Sequence, residues 1–255
     1  MWWPTFVFET DDTEDASPSP APVLTPVAML KGALAIGAAA LVFFAFLPGI
    51  DLTVERLFYL GNGHFLGNKI AAFPLMRRSF NVIFYAACIT ASLGLIIAVR
   101  TGRPWLDLDV RKWLFIGLCL MAGPLLVANI GLKDHWGRAR PRDVAEFAGT
   151  KEFTPPFPPA SQCDYNCSFI SGEASSIFMV LFAAALVFKS RSRSFAVLGI
   201  VFGGLAGLTR MSQGGHFLSD VIFAGVLMAA TAAGIQILFD TWEAKHSRLI
   251  EQRSG

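Results

Sequence analysis

The stretch "WLFIGLCLMAGPLLVANIGLKDHWGRARPRD", Trp113 to Asp143, changes character at Lys133. Its first part, Trp113–Leu132, is interrupted only by glycines, one proline and one asparagine. That is roughly the 20 apolar residues a helix needs to cross a bilayer. Lys133, Arg138, Arg140 and Arg142 then follow within ten residues, with His135 among them. Positive charge gathered at the mouth of a lipid-buried helix either anchors headgroups or receives an anion.

Further apolar runs lie on both sides. Val27–Ile50, Asn81–Val99, Ser171–Phe188, Ser194–Leu208 and Phe217–Phe239 join Trp113–Leu132 as six candidate spans. The 255 residues are 54% hydrophobic and 16% charged, and mean hydropathy is +0.52. A soluble domain carries about 25% charged residues. The expected fold is therefore all-α, a polytopic bundle of six transmembrane helices. It would occupy residues 27–242, between a disordered N-terminal tail (1–26) and a C-terminal tail (243–255), both cytoplasmic. A net charge of +2 does not suggest a nucleic-acid partner, so the basic residues must be read by position.

Two short loops set the orientation. Arg100, Arg103, Arg111 and Lys112 lie between the second and third spans, and Lys189, Arg191 and Arg193 between the fourth and fifth. The positive-inside rule places both in the cytoplasm. Three polar segments then share the opposite side: Lys133–Pro141, Ser171–Ser176 and Thr209–Asp220.

These segments hold the parts of a phosphate site. Lys133, Arg140 and Arg210 supply cations, and the fork of an arginine matches phosphate oxygens. Ser171 and Gly172 open a helix, where unpaired backbone N–H groups favour an anion. His216 and Asp220 stand one helical turn apart, and a carboxylate beside an imidazole fixes its tautomer. Such a set can transfer a phosphoryl group to a histidine. It requires no metal or other cofactor, and no close cluster of metal-ligand residues is legible.

In this pattern the sequence resembles the type 2 phosphatidic acid phosphatase superfamily, membrane lipid phosphatases related to vanadium haloperoxidases. The family pattern is K-x6-R-P, P-S-G-H and S-R-x5-H-x3-D. The chain has Lys133-x6-Arg140-Pro141, Ile170-Ser171-Gly172-Glu173 and Thr209-Arg210-x5-His216-x3-Asp220. The resemblance implies that Lys133, Arg140, Arg210, Ser171 and Gly172 bind phosphate. It also implies that His216 becomes phosphohistidine and that Asp220 orients it.

Ile170, Thr209 and Glu173 depart from the pattern. Glu173 matters most, because the family's histidine there protonates the leaving alkoxide. Two readings stay open. Glu173 is a general acid raised in pKa by burial, or it pairs with Arg138 or Arg140 while His135 or water supplies the proton. Arg138 and Arg142 have no counterpart in the pattern and read as headgroup contacts. Cys163 and Cys167 suit a disulfide in an oxidising periplasm, with two free thiols or a metal pair as alternatives.

The implied substrate is a phosphorylated lipid reached from the bilayer of a bacterial inner membrane, with the site facing the periplasm. Arg77 and Arg78, in the Asp51–Phe80 connection, read as part of an interfacial segment that could meet a second anionic group. "GRARP" with "NCSFISGEAS" resembles the lipid A phosphatases, particularly those acting at the 1-position. Undecaprenyl diphosphate and phosphatidylglycerol phosphate are alternative substrates. A lipid phosphotransferase or a non-catalytic lipid binder are alternatives of another class.

Overall fold

The computed structural model describes residues 23–254, with side chains described through residue 248. Most of the N-terminal tail expected over 1–26 therefore lies outside the described residues. Five helices are long and apolar enough to cross a membrane, and a sixth apolar helix of 16 residues accompanies them. The chain is an all-α, multi-pass membrane protein.

Helix α1 (Pro26–Phe46) starts where Thr25 caps the N–H of Ala28 and Pro26 fills a position that needs no donor. Next come α2 (Ile50–Arg56), a small hairpin of β1 (Tyr59–Gly61) and β2 (His64–Phe65), and a single turn, α3 (Leu66–Lys69). The long α4 (Ala72–Thr101) ends at Gly102, whose φ of 65° suits a residue without a side chain. Asp109 caps α5 (Val110–Leu120), which runs on as a π-helix, Met121–Lys133. Pro124 lies inside that wider segment, where its ring removes one helical donor. The last three helices are α6 (Gly172–Val187), α7 (Ser192–Met211) and α8 (Leu218–Ser254), the last carrying straight through residue 243.

The helices alternate in direction. At one end Leu24 N–H meets Ser192 Oγ at 2.9 Å, and Arg111 bridges Asp240 and Glu243. At the other end lie the start of α4, the close of the π-helix, the start of α6, the close of α7 and the start of α8. Helix α6 packs chiefly against α7 and α8 and is buried on most of its surface. Its apolar residues run all round the helix, as expected of one surrounded by protein rather than lipid. Gly203 leaves room for the ring of Phe178 between α6 and α7.

The Asp51–Phe80 connection is not a lipid-facing interfacial segment throughout. Asp51 and Glu55 are fully buried against the bundle, and α4 begins at Ala72, so Arg77 and Arg78 stand in its early turns. The long loop before α6 is pinned by aromatic contacts. Trp136 stacks on Phe169 at 4.8 Å, and Phe157 meets Phe223 of α8 at 5.0 Å.

Candidate active site

All three sequence segments meet at that one end. Cys167 N–H donates to Lys133 O at 2.9 Å and Ser168 N–H to Arg138 O at 2.8 Å, so the loop's return lies along its outgoing limb. Cys163 and Cys167 are bridged, with their Cα atoms 5.6 Å apart. The backbone pairing fixes Ser168, whose carbonyl accepts from His216 Nδ1 at 2.7 Å. A carbonyl can only accept, so Nδ1 carries the proton and Nε2 keeps its lone pair. His216 is fully buried, and burial pushes its pKa down to about 4, against the pull of Asp220. At neutral pH an imidazole so lowered is uncharged, with the Nε2 lone pair free.

Asp220 lies 3.6 Å from His216 Nδ1, farther than the Ser168 carbonyl. Its Oδ2 accepts from Phe217 N–H at 2.9 Å and from Ser168 Oγ–H. Asp220 is therefore linked to His216 chiefly through Ser168 and the turn that begins α8. Its Oδ1 accepts from Arg138 Nη1 at 2.6 Å.

Arg138 is not a headgroup contact. It is fully buried, donates to Asp51 at 2.8 Å, Ser219 at 2.7 Å and the Thr154 carbonyl at 2.9 Å, and lies 4.4 Å from the centroid of Phe217. Two buried carboxylates need such a partner, because an unpaired buried charge costs several kcal/mol. Asp51 was missed in the sequence, as was Ser168. The acidic pair Asp51 and Glu55, one turn apart beside an apolar run, was the available signal. Burial pushes the Glu55 carboxyl up to about 10, and both of its oxygens are buried without a hydrogen-bond partner.

On the other side of His216, a cavity of about 310 Å³ is lined by Lys133, Arg140, Gly172, Glu173, Arg210 and Asn129, among others. The wide helical turn puts Asn129 and Lys133 on this wall. A side chain at Gly172 would come within 2.9 Å of Lys133 Nζ, so glycine lets the ammonium reach the start of α6. Arg140 donates to the carbonyl and side chain of Asn166, both at 2.7 Å, and Arg210 to Gln213 at 2.5 Å. The Ser171 N–H is spent on Asp220 O at 3.2 Å, but its hydroxyl has no partner.

Glu173 pairs with Arg77 at 3.0 Å and Arg210 at 3.2 Å, not with Arg138 or Arg140. Arg138 is sequestered beneath Asp220, and Arg140 is turned to Asn166. Glu173 Oε2 stands 3.9 Å from His216 Nε2. His135 is exposed, with Nδ1 2.9 Å from Ile130 O, and does not line this cavity. Ser171 Oγ and His216 Nε2 are buried without a hydrogen-bond partner, while Arg210 Nε, also buried, is held only by its ion pair with Glu173 at 3.2 Å. Unpaired buried polar atoms are rare in folded proteins. One open acceptor and one open hydroxyl, with a guanidinium whose Nε meets only a carboxylate, suit a phosphoryl group.

An uncharged buried imidazole 3.9 Å from Glu173, beside a cavity lined by Lys133, Arg140 and Arg210 at the end of a helical membrane bundle, is an arrangement suited to a lipid phosphate. The chain belongs to the PAP2 superfamily, whose model matches residues 112–243, and it is a phosphatase, a phosphoric monoester hydrolase. It is 39% identical over 196 residues to a lipid A 4'-phosphatase of Francisella tularensis subsp. novicida (strain U112), covering 74% of this chain and 86% of that protein. It is 30% identical over 216 residues to one of Rhizobium leguminosarum, covering 80% and 93%. With one of Rhizobium etli the identity is 33% over 198 residues, covering 72% and 76%. No solved structure matches the chain significantly.

Proposed function

We propose that the chain removes the 4'-phosphate of lipid A, at the periplasmic face of the inner membrane, through a phosphohistidine at His216. The relatives' names support the 4' position over the 1-position suggested by the wording of the sequence. The observation that carries the chemistry is the buried His216 Nε2, which has no hydrogen-bond partner and stands 3.9 Å from a Glu173 that is itself paired with Arg210.

In this reading Lys133, Arg140, Arg210, Ser171 Oγ and Gly172 N–H hold the non-bridging oxygens. His216 Nε2 attacks phosphorus, the P–O bond to the glycan breaks, and the departing oxygen takes a proton from water. A second water then attacks the phosphohistidine, the P–N bond breaks, and phosphate leaves with the imidazole restored. Glu173, held by two guanidiniums, enters as a proton acceptor: it takes the proton of that second water and gives it up to the hydroxide that the first water left, which closes the cycle. The phosphate competes with Glu173 for Arg210, so its entry shifts Glu173 toward Arg77.

The site's orientation is supported by the placement of the two basic loops. Arg103 and Arg111, like Lys189 and Arg191, lie at the end of the bundle opposite the site. Phosphate release from lipid A, undecaprenyl diphosphate and phosphatidylglycerol phosphate in one detergent tests the substrate assignment. Lipid A should be turned over fastest. A clear preference for either other lipid would replace it.

A further inference from the structure

Outside the catalytic cavity lies a second, larger one of about 840 Å³. The two share walls: Arg77, Asn81, Arg140, Asn166 and Arg210 line both. Arg78, Arg142, Asn68 and Gln213 line the outer one alone. Whatever a bound phosphate is esterified to has this space to occupy.

The chemistry of the lining is selective. Five arginines and four side-chain amides face the outer cavity, with Pro74 as its one apolar lining residue and no carboxylate. Acyl chains would gain nothing there. Arg77 and Arg210 are matched by Glu173. Arg140 binds only the neutral Asn166, and Arg142 has only Asp143, at 3.7 Å on the exposed surface. Arg78 has no ion pair among the described residues. Arg142 is also held in place, since its N–H donates to Gly214 O at 3.1 Å in the turn between Arg210 and His216. The guanidiniums work against one another: the pKa of Arg140 is lowered by burial and then by the charge of Arg142. An anion beside them relieves that repulsion.

We infer that the outer cavity is a recognition subsite for a polar glycan carrying a second anionic group, with Arg78 and Arg142 binding that anion while the inner cavity holds the phosphate to be cleaved. The amides of Asn68 and Gln213 serve the glycan hydroxyls. This rests on the lipid A reading and adds to it a residue pair that selects multiply charged substrates over singly charged ones. The same chemistry could be satisfied by the headgroup of a neighbouring anionic lipid, which the test separates.

The test compares wild type with Arg78→Ala/Arg142→Ala on lipid A bearing both phosphates, on lipid A bearing only the 4'-phosphate, and on nitrophenyl phosphate. The double variant should raise KM about tenfold for the doubly phosphorylated lipid, leaving kcat and the other two substrates nearly unchanged. Equal losses on both lipids, or no loss on either, overturn the subsite. So does an effect that appears on the singly phosphorylated lipid only when phosphatidylglycerol is added, which assigns the arginines to the membrane surface. If wild type hydrolyses neither lipid, the lipid A reading falls. The subsite is then read from the two lipids as inhibitors of nitrophenyl phosphate turnover. Wild type should be inhibited more strongly by the doubly phosphorylated lipid, and the variant equally by both. Equal inhibition of wild type by both overturns it.

Discussion

Arg77 Nη2 lies 3.0 Å from Glu173 Oε1, an ion pair joining the early turns of α4 to the first turn of α6. It brings a fourth cation to a site whose family pattern names three. It also balances the negative charge that Glu173 introduces where the pattern has histidine.

If Glu173 accepts the proton of the hydrolytic water, Glu173→Gln loses roughly 10²–10⁴-fold in kcat on lipid A and on nitrophenyl phosphate alike. A good leaving group cannot compensate for a defect in the second step. Rescue on nitrophenyl phosphate would instead assign Glu173 to protonation of the leaving oxygen. Arg77→Ala should be costly in the native chain and nearly silent in a Glu173→His background, where no carboxylate needs the pairing.

Arg138 is expected to matter for folding. Arg138→Ala strands Asp51 and Asp220 as buried, unmatched carboxylates, at a cost of about 3–5 kcal/mol. Thermal melting in detergent should show a large drop in Tm. A change within about 0.5 kcal/mol is what a headgroup anchor would give, and would contradict the buried clamp.

Glu55 predicts a pH-dependent stability. Its carboxyl sits at about 10 in the folded chain against 4.5 when unperturbed. Between those values unfolding releases a proton, so stability falls as pH rises, by up to about 1.4 kcal/mol per pH unit from this group alone. Glu55→Gln removes that slope. The gain in Tm over wild type should grow from pH 5 to pH 8, and a constant difference would mean that Glu55 is ionised in the fold.

Topology is checked by thiol labelling in intact cells. Pro159→Cys, in the loop beside the site, should react with a membrane-impermeant reagent, and Ser190→Cys, between α6 and α7, should not. The reverse pattern would put the site in the cytoplasm.

The helical bundle was legible because apolar runs long enough to span are hard to mistake. Their ends were less so: α4 begins nine residues before the apolar run at Asn81, since Arg77 and Arg78 are tolerated in its exposed early turns. The family motifs singled out Lys133, Arg140, Ser171, Arg210, His216 and Asp220 by spacing, and the fold brings their segments to one end of the bundle. Long-range partners were invisible to that reading. Arg138 looked like its neighbour Arg142, yet one is fully buried and the other exposed. What separates them is Asp51, 87 residues away, and no local pattern encodes that pairing. Arg77 and Glu173, 96 residues apart, escaped for the same reason.

The central claim is that His216 takes the 4'-phosphate from lipid A. The direct measurement is mass spectrometry of doubly phosphorylated lipid A after incubation with purified protein, with fragmentation to locate the phosphate that remains. The account predicts a product that keeps only its 1-phosphate, and no product from His216→Ala. Loss of the 1-phosphate instead, or turnover by His216→Ala, would contradict it.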